Sequence, residues 1–500
     1  MNVFTTPGKI LVTCNRGLAP CLQRELAELG YETLESLNTG VITHGTLEDC
    51  IRLNLYLRCA SQVMYSLRAF ECADPEQLYD ILLSMRWEEL LDSDGYFTVH
   101  GNVVHPSIQS GMFANVKVKD AIVDRMRRET GRRPDTGSEL RGAVVYLFWR
   151  GDHAEIFFDT SGETLAKHGY RKRPGRAPMV EALAAGTLLA SRWDRKVPLV
   201  NPMCGSGTIA IEAALMASRR YPGLLRSSYA FMRIKDYDPK FFRAELKKVK
   251  EAVISVPEVK ILASDIDSES VQIARTNAQA AGVADMIEFS VCDFADTTIP
   301  EEGGVIIFNP EYGERLGEES ELEGTYRRIG DFMKQKCGGY WGYIFTGNML
   351  LAKKVGLKSK RRIEFATAQL DCRLLEFELY MGTRRPPAEA DNQSADGSAS
   401  VEGAELVTRT DGVDNAESAA SGPQSADVIA GNKENAGSPL NAASQEIAGS
   451  SVNAASPVNA DSKVSPDGTK GIDHSKSVNG ISGADSIDGA SKAPPLSSAD

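Results

Sequence analysis

Along the first 160 residues, apolar positions recur every three or four residues in some stretches and alternate in others. LAPCLQRELAELG and LEDCIRLNLYLRCASQVMYSL carry the helical spacing, and DPEQLYDILLSM and NVKVKDAIVDRMRRETG predict two further helices. VVYLFWRGDHAEIFFDTSG predicts a strand pair turning at Gly151-Asp152. An α+β region is expected here, of one or two subdomains.

From Met179 the pattern becomes a regular succession. MVEALAAGTLLASRW is followed by VPLVNP, TIAIEAALMA, KILASD, ESVQIARTNAQAAG, IEFSVCD, GVIIFNP, LEGTYRRIGDFMKQK and YWGYIFTG. Such alternation builds a mainly parallel sheet covered by helices on both faces. RRIEFATAQ and CRLLEFELY have no helix between them and predict a closing antiparallel hairpin. After Pro386-Pro387 the chain turns to Ser, Ala, Gly, Asp and Asn, with no Phe, Trp, Tyr or Cys to the C-terminus. That segment cannot bury enough apolar surface to offset its ordering entropy, so residues 386–500 are expected to be disordered.

Composition refines this picture at three points. A chain of 500 residues with 42% apolar content exceeds one ordinary core, so several domains are expected. It has no apolar run of bilayer length, and MNVFTTPGKI lacks the order of an export signal, which predicts a soluble, cytoplasmic protein without membrane contact. The nine cysteines include no C-x-x-C pair and no Cys/His cluster, so core positions are expected for them rather than a metal site. The formal charge of −12 sits in the tail, where 17 acidic residues face 6 basic ones; the remainder is nearly neutral. The overall acidity therefore does not exclude a nucleic-acid partner.

In an open α/β sheet the ligand lies beyond the carboxyl ends of the strands. Asn201-Pro202-Met203-Cys204-Gly205-Ser206-Gly207-Thr208 stands at such an end, between an apolar strand and an amphipathic helix. Gly205 and Gly207 allow a tight turn and a close ligand approach, although a purely structural turn has the same look. Asp265 ends the next strand about 60 residues later and can accept both hydroxyls of a ribose; alternatively it belongs to the helix cap formed with Asp267 and Ser268. Asp293, after the third strand, either accepts from an adenine amino group or is a solvated turn residue. Ile209 and Ala210 occupy the place of a third glycine, which favours a nucleoside cofactor without a pyrophosphate over NAD.

The fourth strand runs into Asn309-Pro310-Glu311-Tyr312-Gly313-Glu314-Arg315-Leu316. An exocyclic base amine is a weak nucleophile because its lone pair is delocalised into the ring. Acceptors at the Asn309 side chain and the Pro310 carbonyl would localise that pair, and Tyr312 would stack on the base and hold it in line. A turn after a strand is the plainer reading of Asn, Pro and Gly. The glycine turn about 100 residues earlier, with acidic strand ends between, favours methyl transfer to a base nitrogen.

CNRGLAPCLQRELAELG, FFDTSGETLAKHGYRKRPGRAPMVEALAAGTLL, NPMCGSGTIAIEAAL, SDIDSESVQIARTNAQAAG and NPEYGERLGE occur in this order. Over about residues 8 to 385 the chain resembles bacterial class I RNA methyltransferases with a THUMP domain, especially those that methylate N2 of guanine in large-subunit rRNA. The resemblance implies a ferredoxin-like segment (1–65), an RNA-binding THUMP domain (66–160) and a Rossmann-like, seven-stranded methyltransferase domain (161–385). It implies S-adenosylmethionine as cofactor, held by Asn201, Pro202, Cys204, Gly205, Gly207, Thr208, Asp265 and Asp293, with Asn309, Pro310 and Tyr312 at the reaction end and no metal. The family usually has Asp at the position of Asn201 and Pro-Pro at Pro310-Glu311. Loss of that negative charge is expected to weaken the cofactor's methionine end, and Glu311 puts an acidic side chain beside the target base.

Two basic clusters are the expected RNA contacts: Arg125, Arg127, Arg128, Arg132 and Arg133, and Lys167, Arg171, Lys172, Arg173 and Arg176. Taken singly, each also fits a solvated helix face. Lys358, Lys360, Arg361 and Arg362 form a third basic run. The resulting expectation is guanine-N2 methylation of 23S rRNA, with tRNA as the other substrate. A decayed enzyme that serves as an RNA-binding assembly protein is the competing class. An adenine-N6 DNA enzyme shares the N-P-x-Y chemistry but leaves the front half unexplained.

Overall fold

The computed structural model describes residues 4–382, apart from 107, 109, 177, 256–257, 314–317 and 367–369, and without the side chains of 318–321. The segment 386–500, expected to be disordered, lies outside the described residues, as do Glu314, Arg315 and Leu316.

The front half consists of β1 (Gly8–Thr13), α1 (Ala19–Glu28), β2 (Glu35–Leu37), β3 (Gly40–Gly45), α2 (Leu47–Tyr56), β4 (Gln62–Glu71), α3 (Pro75–Ser84), β5 (Tyr96–Val104), α4 (Gly111–Thr130), β6 (Asp135–Thr136), β7 (Ala143–Arg150) and β8 (His153–Asp159). Local chemistry sets the helix ends. Thr46 and Asp49 form a reciprocal cap on α2, Asp74 caps α3 ahead of Pro75, and α4 stops at Gly131 in the left-handed conformation. All eight strands join one sheet, in the order β2-β3-β1-β4-β8-β7-β5-β6. The boundary expected between residues 65 and 66 falls inside β4. That strand pairs with β1 through Ile10↔Tyr65 to Thr13↔Gln62 and with β8 from Met64↔Asp159 to Glu71↔His153.

The second half contains α5 (Glu181–Ala190), β9 (Leu199–Pro202), α6 (Thr208–Ala217), α7 (Pro239–Glu251), β10 (Ile261–Asp265), α8 (Ser268–Ala281), β11 (Glu288–Val291), β12 (Gly304–Phe308), α9 (Glu318–Lys336), β13 (Tyr340–Thr346), α10 (Met349–Lys354), β14 (Arg361–Ala366) and β15 (Asp371–Glu378). Their order is β11-β10-β9-β12-β13-β15-β14. Every pair is parallel except those made by β15, so the closing antiparallel hairpin is present. Val305 to Phe308 are all buried, as expected for a parallel strand covered on both faces. Sequential order reverses between β9 and β12, which opens the crevice where such sheets bind ligands.

The two halves pack closely. Leu18 presses on Gly186 of α5, where a side chain would collide with it, and Gly223 faces the backbone of Leu55 in the same way. Eight of the nine cysteines are buried and Cys292 is half-buried. Among the described residues no helix is long and apolar enough to cross a membrane.

Candidate active site

Three left-handed residues shape the turn after β9: Met203 at φ 58°, Gly205 at 54° and Gly207 at 81°. Gly207 is required twice over, because a Cβ there would stand 2.8 Å from the Ala274 Cβ of α8. Gly205 faces open space instead, which leaves its backbone approachable. Its N–H donates to Asp265 Oδ2 at 2.9 Å, while Asp265 Oδ1 accepts from the Asp267 N–H at 3.0 Å. Asp267 caps α8 by accepting from the Glu269 and Ser270 N–H groups, so the cap is not Asp265's task. A carboxylate has about four lone-pair positions. Two remain on Asp265 for a diol.

Asp293 Oδ1 accepts from the Arg328 guanidinium at 2.7 Å and from the Ala295 N–H at 2.9 Å. Partial burial pushes its carboxyl up, but these two donors outweigh that and hold it below the usual range. Both bonds fall on one oxygen. The Arg328 guanidinium also lies 4.8 Å over the Phe294 ring, which packs on Phe308 and Phe332.

Asn201 is buried at the end of β9, and its Nδ2 donates to the Ile307 carbonyl of β12 at 2.9 Å. Beyond Ile307 the chain leaves the sheet at Asn309, half-buried, and Pro310, buried; Glu311 is turned out to solvent. Tyr312 packs its ring on Gly347, with Cδ2 3.4 Å from where a Cβ would stand, and its carbonyl accepts from Asn348 Nδ2 at 3.4 Å. Asn348 also caps α10 through the Leu350 and Leu351 N–H groups. The turn after β13 thus braces the loop after β12. Asn348 and Arg328 were not among the expected site residues; Asn348 had the signal of a polar residue at a strand end.

The segment between the halves runs across the glycine turn, with Ser206 Cβ 3.4 Å from a Cβ placed on Gly175. Fully buried Asn277 of α8 fastens it. Its Oδ1 accepts from the Lys172 and Arg173 N–H groups at 2.9 and 3.1 Å, and its Nδ2 donates to the Arg173 and Ser206 carbonyls at 3.0 and 3.3 Å. Arg171, expected at RNA, instead turns inward to Ser206 Oγ (3.0 Å), Thr208 Oγ1 (3.2 Å), the Met179 carbonyl (2.6 Å) and Glu181 (3.3 Å). Four of its five donors hold the starts of α5 and α6. Lys167, Lys172, Arg173 and Arg176 remain exposed, Arg173 with Glu269 at 3.3 Å.

In the other cluster Arg125 is likewise committed. Its guanidinium is only 12% exposed and forks onto Glu88 of the neighbouring turn. Arg127, Arg128, Arg132 and Arg133 are exposed; the first three have acidic neighbours in Asp124, Glu129 and Asp94. In the third run, Lys360 and Arg361 pair with Glu378 and Glu376. No group of three or more potential metal ligands occurs among the described residues.

Three successive stretches of the chain match known families. Residues 9–64 match the RlmL ferredoxin-like domain, 72–159 the THUMP domain, and 168–376 the RMKL-like methyltransferase domain. A ribosomal RNA large subunit methyltransferase K/L of Psychromonas ingrahamii is 35% identical over 384 residues, 75% of this chain and 50% of that protein. A Synechocystis protein named as an RNA methyltransferase is 31% identical over 368 residues, 74% of this chain and 96% of its own length. A solved structure described as a methyltransferase with S-adenosylhomocysteine (SAH) superposes with a TM-score of 0.70 at 26% identity, covering 76% of this chain and 100% of that one. The chain spans about half the length of the K/L relative.

Proposed function

The chain belongs to the family of THUMP-domain class I methyltransferases, and from that premise we propose that it methylates the exocyclic N2 of a guanine in 23S rRNA, with S-adenosylmethionine as donor. The observation that carries this reading is the crevice between β9 and β12, which has a glycine turn and ribose acceptor on one wall and an N-P-x-Y loop on the other. The turn fits the cofactor: Gly205 is open to approach, and Asp265 keeps lone pairs for a diol. When bound, the sulfonium cofactor supplies an electrophilic methyl group. Pro202, Cys204, Gly207 and Thr208 shape its seat, and Asp293 lies at the far strand end for the adenine amino group.

The remaining chemistry belongs to the chain's own side chains. Asn309 and the Pro310 carbonyl accept from the amine hydrogens and so concentrate the nitrogen lone pair, while Tyr312 supplies a stacking face. Exposure of Glu311 supports an active centre, since its carboxylate faces solvent. The exposed cations of residues 167–176, beside the cofactor turn, and of Arg127 to Arg133 suit phosphate contacts that carry no sequence information. The cytoplasm is the compartment where ribosomal RNA would be met.

The test is transfer of tritiated methyl to 23S rRNA and to tRNA, each lacking its own guanine-N2 methylation, followed by nucleoside mass spectrometry. Methylguanosine in 23S rRNA is the expected product. Label confined to tRNA would move the substrate, and no label from protein that binds SAH would sink the enzymatic reading.

A further inference from the structure

The parallel ladder between β9 and β12 stops early. Its paired residues are Val305↔Leu199 and Ile306↔Val200, and no further pair follows. At the next position the strands part to form the crevice, and the Ile307 carbonyl is satisfied by a side chain, Asn201 Nδ2, at 2.9 Å. Asn201 is 1% exposed, and its Oδ1 is buried with no hydrogen-bond partner among the described residues. The opposite orientation would set Oδ1 against a carbonyl oxygen, so the chemistry of the acceptor fixes the amide as it stands.

On one side this amide is two residues ahead of Met203, the first left-handed residue of the glycine turn. On the other it grips the carbonyl two residues ahead of Asn309. We propose that Asn201 is a positioning residue that ties the loop 309–313 to the cofactor turn, and that this chain, unlike relatives with Asp there, makes the tie through its donated amide hydrogen. A carboxylate at 201 has no hydrogen to give Ile307 and would repel its oxygen. The amide is therefore a functional requirement of this chain rather than merely a lost charge. The inference rests on the crevice being the methyl-transfer site, but not on which RNA is methylated.

The Asn201→Asp variant tests it, because one protein can be read in both states. Burial raises a carboxyl's pKa, so the protonated, donating form exists below that value and disappears above it. Hydrogen exchange of the peptide spanning 304–313 is followed with and without saturating SAH across pH, after correction for intrinsic exchange. In the wild type SAH slows exchange there at every pH. In Asn201→Asp the protection is expected at low pH and lost as pH rises, and Asn201→Ala lacks it throughout. Methyl transfer supplies a second readout: the kcat of Asn201→Asp falls at least tenfold across the same window, while SAH affinity changes less than kcat.

Protection in Asn201→Asp that follows the wild type at every pH overturns the proposal. So does a loss confined to SAH affinity with kcat intact, which would make Asn201 a cofactor ligand alone. The exchange readout needs no RNA, so a wrong choice of RNA substrate leaves it standing.

Discussion

His168 Nδ1 lies 2.8 Å from Glu212 Oε1, with both side chains fully buried. The other ring nitrogen, Nε2, lies 3.0 Å from the Arg58 carbonyl of the front half. Both nitrogens face acceptors, and a doubly protonated ring satisfies both. Burial disfavours that cation, but Glu212 outweighs it and the pKa of His168 is raised above its ordinary value. The pair fastens α6, which begins at the glycine turn, to the front half.

A raised folded-state pKa means that the stabilisation is complete below His168's ordinary pKa of about 6.5 and is lost as pH rises through the higher folded value. Melting temperature is therefore expected to fall as pH rises above His168's ordinary value. His168→Ala should cost about 3–5 kcal/mol by leaving Glu212 buried without its partner. Differential scanning calorimetry of both proteins checks this, and an identical pH dependence in the variant would remove His168 as the cause.

Asp265→Asn should weaken SAH binding by about 10- to 150-fold, the value of a charged hydrogen bond of about 1.5–3 kcal/mol. The Gly205 N–H can still find an acceptor oxygen there, so the fold should persist. Titration calorimetry reads the affinity; wild-type binding in this variant would take the ribose away from Asp265.

Tyr312→Ala should lower kcat/KM for RNA by about 5- to 150-fold, corresponding to about 1–3 kcal/mol of stacking. Tyr312→Phe should stay close to wild type, because a phenyl ring keeps the stacking face. SAH affinity should be untouched in both. Equal loss in Phe and Ala would assign the role to the hydroxyl instead.

Replacing Lys172, Arg173 and Arg176 together by Gln should lower the slope of log affinity against log salt by about 2–3. Arg125→Gln should leave that slope alone and lower thermal stability, since its guanidinium serves Glu88. Filter binding across a salt series separates the two; a triple variant with the wild-type slope would move the RNA path elsewhere.

The alternating half of the fold was readable because parallel strands buried on both faces appear as unbroken apolar runs, as in VIIF. The glycine turn was readable for a related reason: left-handed backbone and close packing on Ala274 demand glycine at Gly207. Helix α7 was not assigned in advance. Its sequence PKFFRAELKKVKE is rich in Lys and fully buries only Glu245 and Val249, yet Phe241, Phe242 and Leu246 lie at helical spacing beside Val249 and pack on the core, a stripe that the surrounding charge obscured.

Arg171 and Arg125 were misplaced for one shared physical reason. A cation in a basic run looks the same whether it meets water or a buried partner, and their partners are distant in sequence: Ser206, Thr208 and Glu88. Asn277 gave no local signal either, since its four bonds go to a segment about a hundred residues earlier and to the glycine turn. For Asn201 the residue type was visible, but its geometry was not. Only the early end of the β9 and β12 ladder gives the amide hydrogens their purpose.

Strand β4 is hydrogen-bonded on both edges to different modules, so no slack peptide separates them. To swivel one against the other, the chain would have to tear ladder bonds it cannot replace. The front half therefore behaves as a stiff plate. On the proposed reading, a target nucleotide is chosen partly by how far it lies from the point of grip, measured along a rod and not at the end of a tether.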